Sequence, residues 1–132
     1  MIKIDDYWGV VKQPSQPKLT QDDLIDFFKK RKGWKIMDIE DDNLNEYYGI
    51  CIYARYLNRY GITIIAGKNF YCSPKKITNK YHSVEVGFHK NIKDDGKSEW
   101  TRKIKNNEPV VGWVDARELV KYIEKLEKAD IP

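Results

Sequence analysis

Two periodicities divide this chain. From Thr20 to Lys32 the apolar residues Leu24, Phe27 and Phe28 recur at helical spacing, whereas from Trp34 onward apolar residues recur at every second position, as in a half-buried strand. The helical segment carries its own end signals. Thr20 and Asp23 stand at capping-box spacing, Asp22 and Asp23 favour the positive helix end, residues 29–32 suit the negative end, and Gly33 offers a left-handed cap. A second helix is predicted over 115–128, where Asp115 and Glu118 repeat the capping pattern and Leu119, Val120, Ile123 and Leu126 share one face.

The strand signals fall mostly between these helices. Short strands are expected at Ile2 to Ile4 and Trp8 to Val11, ahead of a loop marked by Pro14, Ser15 and Pro17. Trp34 and Ile36 alternate with Lys35 and Met37 in a strand ending near Ile39, and an acidic turn follows over 40–46. Next, Tyr48, Ile50, Ile52, Ala54 and Tyr56 share one face of a strand, and Tyr47, Gly49, Cys51, Tyr53 and Arg55 share the other. Apolar groups on both faces predict a central position. A turn at 58–61 and a partner strand at 62–66 complete a hairpin.

After a second turn at 67–69, residues 70–72 read as extended until Ser73-Pro74 breaks the pattern. A basic loop, 75–80, leads to a strand in which His82, Val84, Val86 and Phe88 alternate with Ser83, Glu85 and Gly87. Residues 90–107 read as a polar connection in which Trp100 and Ile104 can anchor a short strand, and 110–114 as a last apolar strand. The order predicts a single α+β domain over 1–132: a mostly antiparallel sheet of about five strands, covered by helices at 20–32 and 115–128.

Composition narrows the class. At 132 residues the chain fits one domain that needs neither disulfides nor a structural metal, and 41% hydrophobic with 33% charged residues is the balance of a soluble globular protein. No apolar run reaches membrane-span length. Asp5 and Asp6 at the start do not suit a signal or transit peptide, so a cytoplasmic location is expected, with Cys51 and Cys72 as buried thiols.

Charge and tyrosine are unevenly spread. Residues 55–105 hold 12 basic and 4 acidic side chains, a net +8, while 106–132 hold 4 and 6 and are acidic. Seven of the nine tyrosines lie within 47–81, overlapping the basic segment. Tyrosine offers an apolar face with a polar tip, and beside Lys and Arg it suits a recognition surface. The expected binding residues are Arg55, Arg59, Tyr60, Tyr71, Lys75, Lys76, Lys80 and Tyr81. Tyr60, Tyr71 and Tyr81 fall at turns and strand ends, where rings are expected to stay exposed.

Catalytic chemistry finds little footing. His82 and His89 lie seven apart and point to opposite faces of an unbroken strand, so they do not chelate one ion; neither a metal nor a cofactor is expected. Cys72 with His82 is the only nearby thiol and base, in a basic neighbourhood able to lower the thiol pKa. Glu85 and the turn acids Asp41, Asp42 and Glu46 are the candidate carboxylates, and the glycines of the central and C-terminal segments stand singly rather than in a phosphate-cradling loop. The expectation is a non-enzymatic binding protein with a protein or nucleoprotein partner and no membrane. Its profile is that of a small phage or mobile-element inhibitor of a host or defence enzyme. Direct nucleic-acid binding and a small cysteine-dependent hydrolase are the alternatives, and the sequence leaves the oligomeric state open.

Overall fold

The computed structural model describes residues 18–39, 48–57, 59–91, 98–100 and 110–128. The strands expected before Pro14, the acidic turn at 40–46 and Ile104 lie outside the described residues.

Helix α1 (Gln21–Lys30) starts where its capping signal predicts: Thr20 is extended and its hydroxyl accepts the Asp23 N–H at 3.0 Å. It ends two residues before the expected boundary, with Arg31 as an extended C-cap. Gly33 does adopt a left-handed φ of 89°, but in the turn into the first strand, where an added Cβ would sit 2.5 Å from the Tyr56 ring. Helix α2 (Ala116–Lys128) is capped reciprocally, Asp115 Oδ1 accepting the Glu118 N–H at 2.8 Å while Glu118 Oε1 accepts the Asp115 N–H at 3.5 Å.

Strands β1 (Trp34–Ile39), β2 (Ile50–Tyr56), β3 (Tyr60–Ala66) and β4 (Val84–Asn91) pair antiparallel in that order. Strands β5 (Ser98–Trp100) and β6 (Val110–Val114) share the outer edge of β4, β5 along residues 89–91 and β6 along 84–87. The β2–β3 turn comes earlier than expected, because Tyr60 and Gly61 already pair with Tyr56 and Arg55 inside the hairpin. Residues 70–72 form no strand; they belong to a loop that touches the sheet through a Ser73–Ser83 bridge.

Register sorts the side chains by face. Ile52 stands opposite Ile64 and Ile64 opposite Val86, and these residues join Ile50, Ala54, Ile62 and Phe88 in a fully buried layer. Leu24, Phe27 and Phe28 of α1 and Leu119, Ile123 and Leu126 of α2 complete this core. Each such side chain contributes about 1.5–3 kcal/mol when fully buried, so this interface dominates stability.

Two polar links fasten the helices. The Gln21 side-chain amide accepts the Cys51 N–H at 3.1 Å and donates to the Cys51 carbonyl at 3.5 Å, standing in for a strand where β1 no longer accompanies β2. At the other end of α1, Arg31 makes a bidentate pair with Glu127 of α2, Nε to Oε2 at 2.5 Å and the second nitrogen to Oε1 at 2.8 Å. Trp34 Nε1 donates to the same Oε2 at 2.8 Å. These bonds hold the Glu127 carboxyl below its ordinary value against its burial, and the same pairing raises the Arg31 guanidinium.

Candidate interaction surface around Tyr71 and Trp113

The segment 67–83 leaves β3 and returns to β4, and buried groups hold it from beneath. The Cys72 thiol turns inward, donating to the Gly67 carbonyl at 3.2 Å and accepting the Gly67 N–H at 3.4 Å. The Tyr81 hydroxyl donates to the Lys76 carbonyl at 2.6 Å and accepts the Thr78 N–H at 3.1 Å. The Tyr81 backbone pairs with Leu19 in both directions, at 2.7 and 2.9 Å. With its underside fixed, the loop presents Lys68, Tyr71, Lys75, Lys76 and Lys80 outward, all exposed.

Strand β6 supplies the second half of the surface. Val114 pairs with Val84 and Val111 with Val86, so Gly112 and Trp113 together stand opposite Glu85 in a β-bulge. Trp113 takes the left-handed conformation there, φ 52°, and its side chain turns into solvent, 56% exposed. Its N–H donates to the Tyr71 carbonyl at 2.9 Å, and the two rings lie 5.1 Å apart at 33°. Tyr71 is itself 53% exposed, with Lys75 Nζ 5.4 Å from its ring centroid and its own N–H donated to Glu85 Oε1 at 3.1 Å. Gly112 permits this approach: a Cβ there would lie 2.6 Å from the Tyr71 Cβ.

A bulky residue at positive φ costs about 1–3 kcal/mol, and a half-exposed ring recovers only part of that by burial. Glycine is the low-energy residue for such a bulge. Tryptophan in its place gives the surface a broad, outward-held aromatic face.

The structure divides the residues expected to bind. Tyr71, Lys75, Lys76 and Lys80 are on the loop surface. Tyr60 and Tyr81 are not exposed as expected: both are 0% exposed, Tyr60 inside β3 facing the core and Tyr81 bracing the loop. Arg59 is exposed but belongs to the turn before β3, whereas the loop leaves from its far end, about 20 Å away at the usual strand rise.

Arg55 is only 5% exposed and belongs to a polar group on the sheet face away from the core. Its Nε donates to the Tyr53 hydroxyl at 2.8 Å, and its guanidinium lies 5.5 Å from the Tyr53 ring centroid. His89 completes this group, with Nε2 2.6 Å from Thr63 Oγ1 and its ring 5.1 Å from that of Tyr53. Burial first, and the nearby Arg55 charge second, lower the His89 pKa to about 4, so the ring is neutral at pH 7. His82, set by the sequence alternation on the face of Val84, Val86 and Phe88, is exposed, and His89 is partly buried.

Trp113 escaped the sequence reading, which took 110–114 as an apolar strand. Its signal is the Gly-Trp step at the end of a short strand, where glycine marks a bulge. Elsewhere, an open cleft of about 640 Å³ lies between Lys30, Lys32, Tyr56 and Leu57, floored by the Arg31–Glu127 pair, whose charges offset each other.

The proposed basic activation of Cys72 is corrected. Burial raises the thiol pKa more than the Gly67 hydrogen bond and the Lys75 charge lower it. Among the described residues no group of His, Cys, Asp and Glu is arranged to hold a metal ion, and no helix is long and apolar enough to cross a membrane. The fold and surface define an α+β domain with a loop-borne aromatic and basic patch. Comparison with protein-family models, with curated proteins and with solved structures finds no match to this chain.

Proposed function

We propose that this chain is a non-enzymatic binding protein that engages a macromolecular partner through the Tyr71–Trp113 pair and the lysines of loop 67–83. The observation that carries the reading is Trp113, held in left-handed backbone with its ring more than half exposed. Tryptophan and tyrosine are frequent anchors of binding surfaces, and a loop braced by Cys72 and Tyr81 loses little freedom on association. A nucleoprotein partner in the cytoplasm is the form we favour, Cys51 and Cys72 being thiols rather than a disulfide. A small inhibitor carried by a phage or mobile element is one protein of that profile.

The test is capture from host lysate on immobilised wild type and on the double variant Tyr71→Ala, Trp113→Gly, matched by thermal melting, with proteins and nucleic acids identified in both eluates. A partner retained by the wild type and lost from the variant supports the surface. Equal retention by both removes it.

A further inference from the structure

We infer that the ligand received by this surface is single-stranded nucleic acid, one base stacking on Trp113 while the loop lysines meet the adjoining phosphates. The inference rests on the binding reading and deepens it by naming the partner's chemistry. Loop 67–83 contains four lysines and no aspartate or glutamate, and all four lysines are exposed. Protein interfaces are depleted in lysine, whereas phosphate neutralisation depends on it, so this composition favours a polyanion over an apolar protein face. The Glu85 carboxylate borders the site, and its Oε1 already accepts the Tyr71 N–H.

The aromatic geometry selects single strands. Lys75 lies over the Tyr71 ring and Trp113 packs beside it, so Tyr71 acts as a backing for Trp113. The remaining ring surface of Trp113, exposed and aimed outward by the bulge, is the stacking face. Bases in a duplex hide their faces in the helical stack; those of a single strand are available.

Fluorescence anisotropy of a labelled oligothymidylate of about 15 nucleotides, with the full chain at low salt, tests this. The wild type is expected to bind, with log affinity falling against log salt at a slope of about −1.4 to −2.8 for two to four neutralised phosphates. A duplex of equal length is expected to bind more weakly. Trp113→Gly, which relaxes the backbone while removing the ring, is expected to lose about 5- to 100-fold in affinity, with Trp113→Phe retaining part of it. Lys75→Glu with Lys76→Glu is expected to weaken binding and flatten the slope. No complex at low salt, equal affinity for the duplex, or a Trp113→Gly variant that binds like the wild type overturns the inference. If the oligonucleotide is not bound while lysate capture still depends on Trp113, the partner is a protein and only this inference falls. If capture is also indifferent to Trp113, the binding surface itself is wrong.

Discussion

The Trp113 N–H donates to the Tyr71 carbonyl at 2.9 Å, so a bulge in β6 and a loop after β3 hold two exposed rings side by side. Neither segment builds the patch alone. The bulge turns the indole outward, and the loop supplies the second ring and the lysine over it.

The left-handed conformation of Trp113 predicts an unusual order of variant stabilities. Trp113→Gly is expected to be more stable than Trp113→Ala by about 1 kcal/mol, because alanine keeps the positive-φ penalty that glycine avoids. Urea unfolding of the two variants measures the difference. Equal midpoints and slopes would contradict a left-handed backbone at Trp113.

Loss of the Glu127 carboxylate should be felt across both helices. Glu127→Ala is expected to cost about 2–3 kcal/mol, somewhat less than a fully buried pair, since the Arg31 and Glu127 side chains are 6% and 18% exposed. Arg31→Lys should also destabilise, because an ammonium cannot reproduce the bidentate geometry. A double-mutant cycle of Arg31→Met with Glu127→Ala is expected to give a coupling of about 1 kcal/mol or more. Additive costs would show that the pair contributes nothing of its own.

His89 gives the fold an acid limit. The unfolded chain protonates this imidazole below its ordinary value of 6.5, and the folded chain only below about 4. Between those values the unfolded state binds more protons, so stability falls as pH drops through that window and is constant with respect to His89 above it. After discounting for partial exposure, the loss by pH 4 is expected to be about 1–2 kcal/mol. His89→Gln should flatten the stability profile between pH 6.5 and 4.5, above the range where Glu127 protonates. An unchanged profile would show that His89 is not the titrating group.

Cys72 should behave as a structural thiol. Native alkylation followed by peptide mass mapping is expected to label Cys51, which is partly exposed, faster than Cys72, which is 1% exposed with a raised pKa. In urea the two rates should converge. Rapid native labelling of Cys72 would instead revive a nucleophilic role.

Much of the fold was legible because its signals are local. Thr20 and Asp115 cap their own helices within three residues, and the alternation of Ile50, Ile52 and Ala54 marks the core face wherever that strand docks. The site was legible only in part. Tyr71, Lys75 and Lys76 reach solvent as expected, being on a loop whose polarity and proline identify it, but Tyr60 and Tyr81 had the same sequence context and are buried.

The difference lies in pairing over distance. Tyr60 is buried because strand pairing begins two residues earlier than its turn chemistry implied, and Tyr81 because its backbone pairs with Leu19 ahead of α1. His89 is partly buried through contacts with Tyr53 and Thr63 on two other strands. The sequence by itself determined the periodicities, the caps and the basic, tyrosine-rich segment. Only the tertiary structure decided which rings reach solvent, and the bulge opposite Glu85 that brings out Trp113 depends on the β4–β6 register. Periodicity and capping act within a few residues of chain. Register and burial follow from contacts between segments far apart in sequence, and no local pattern encodes them.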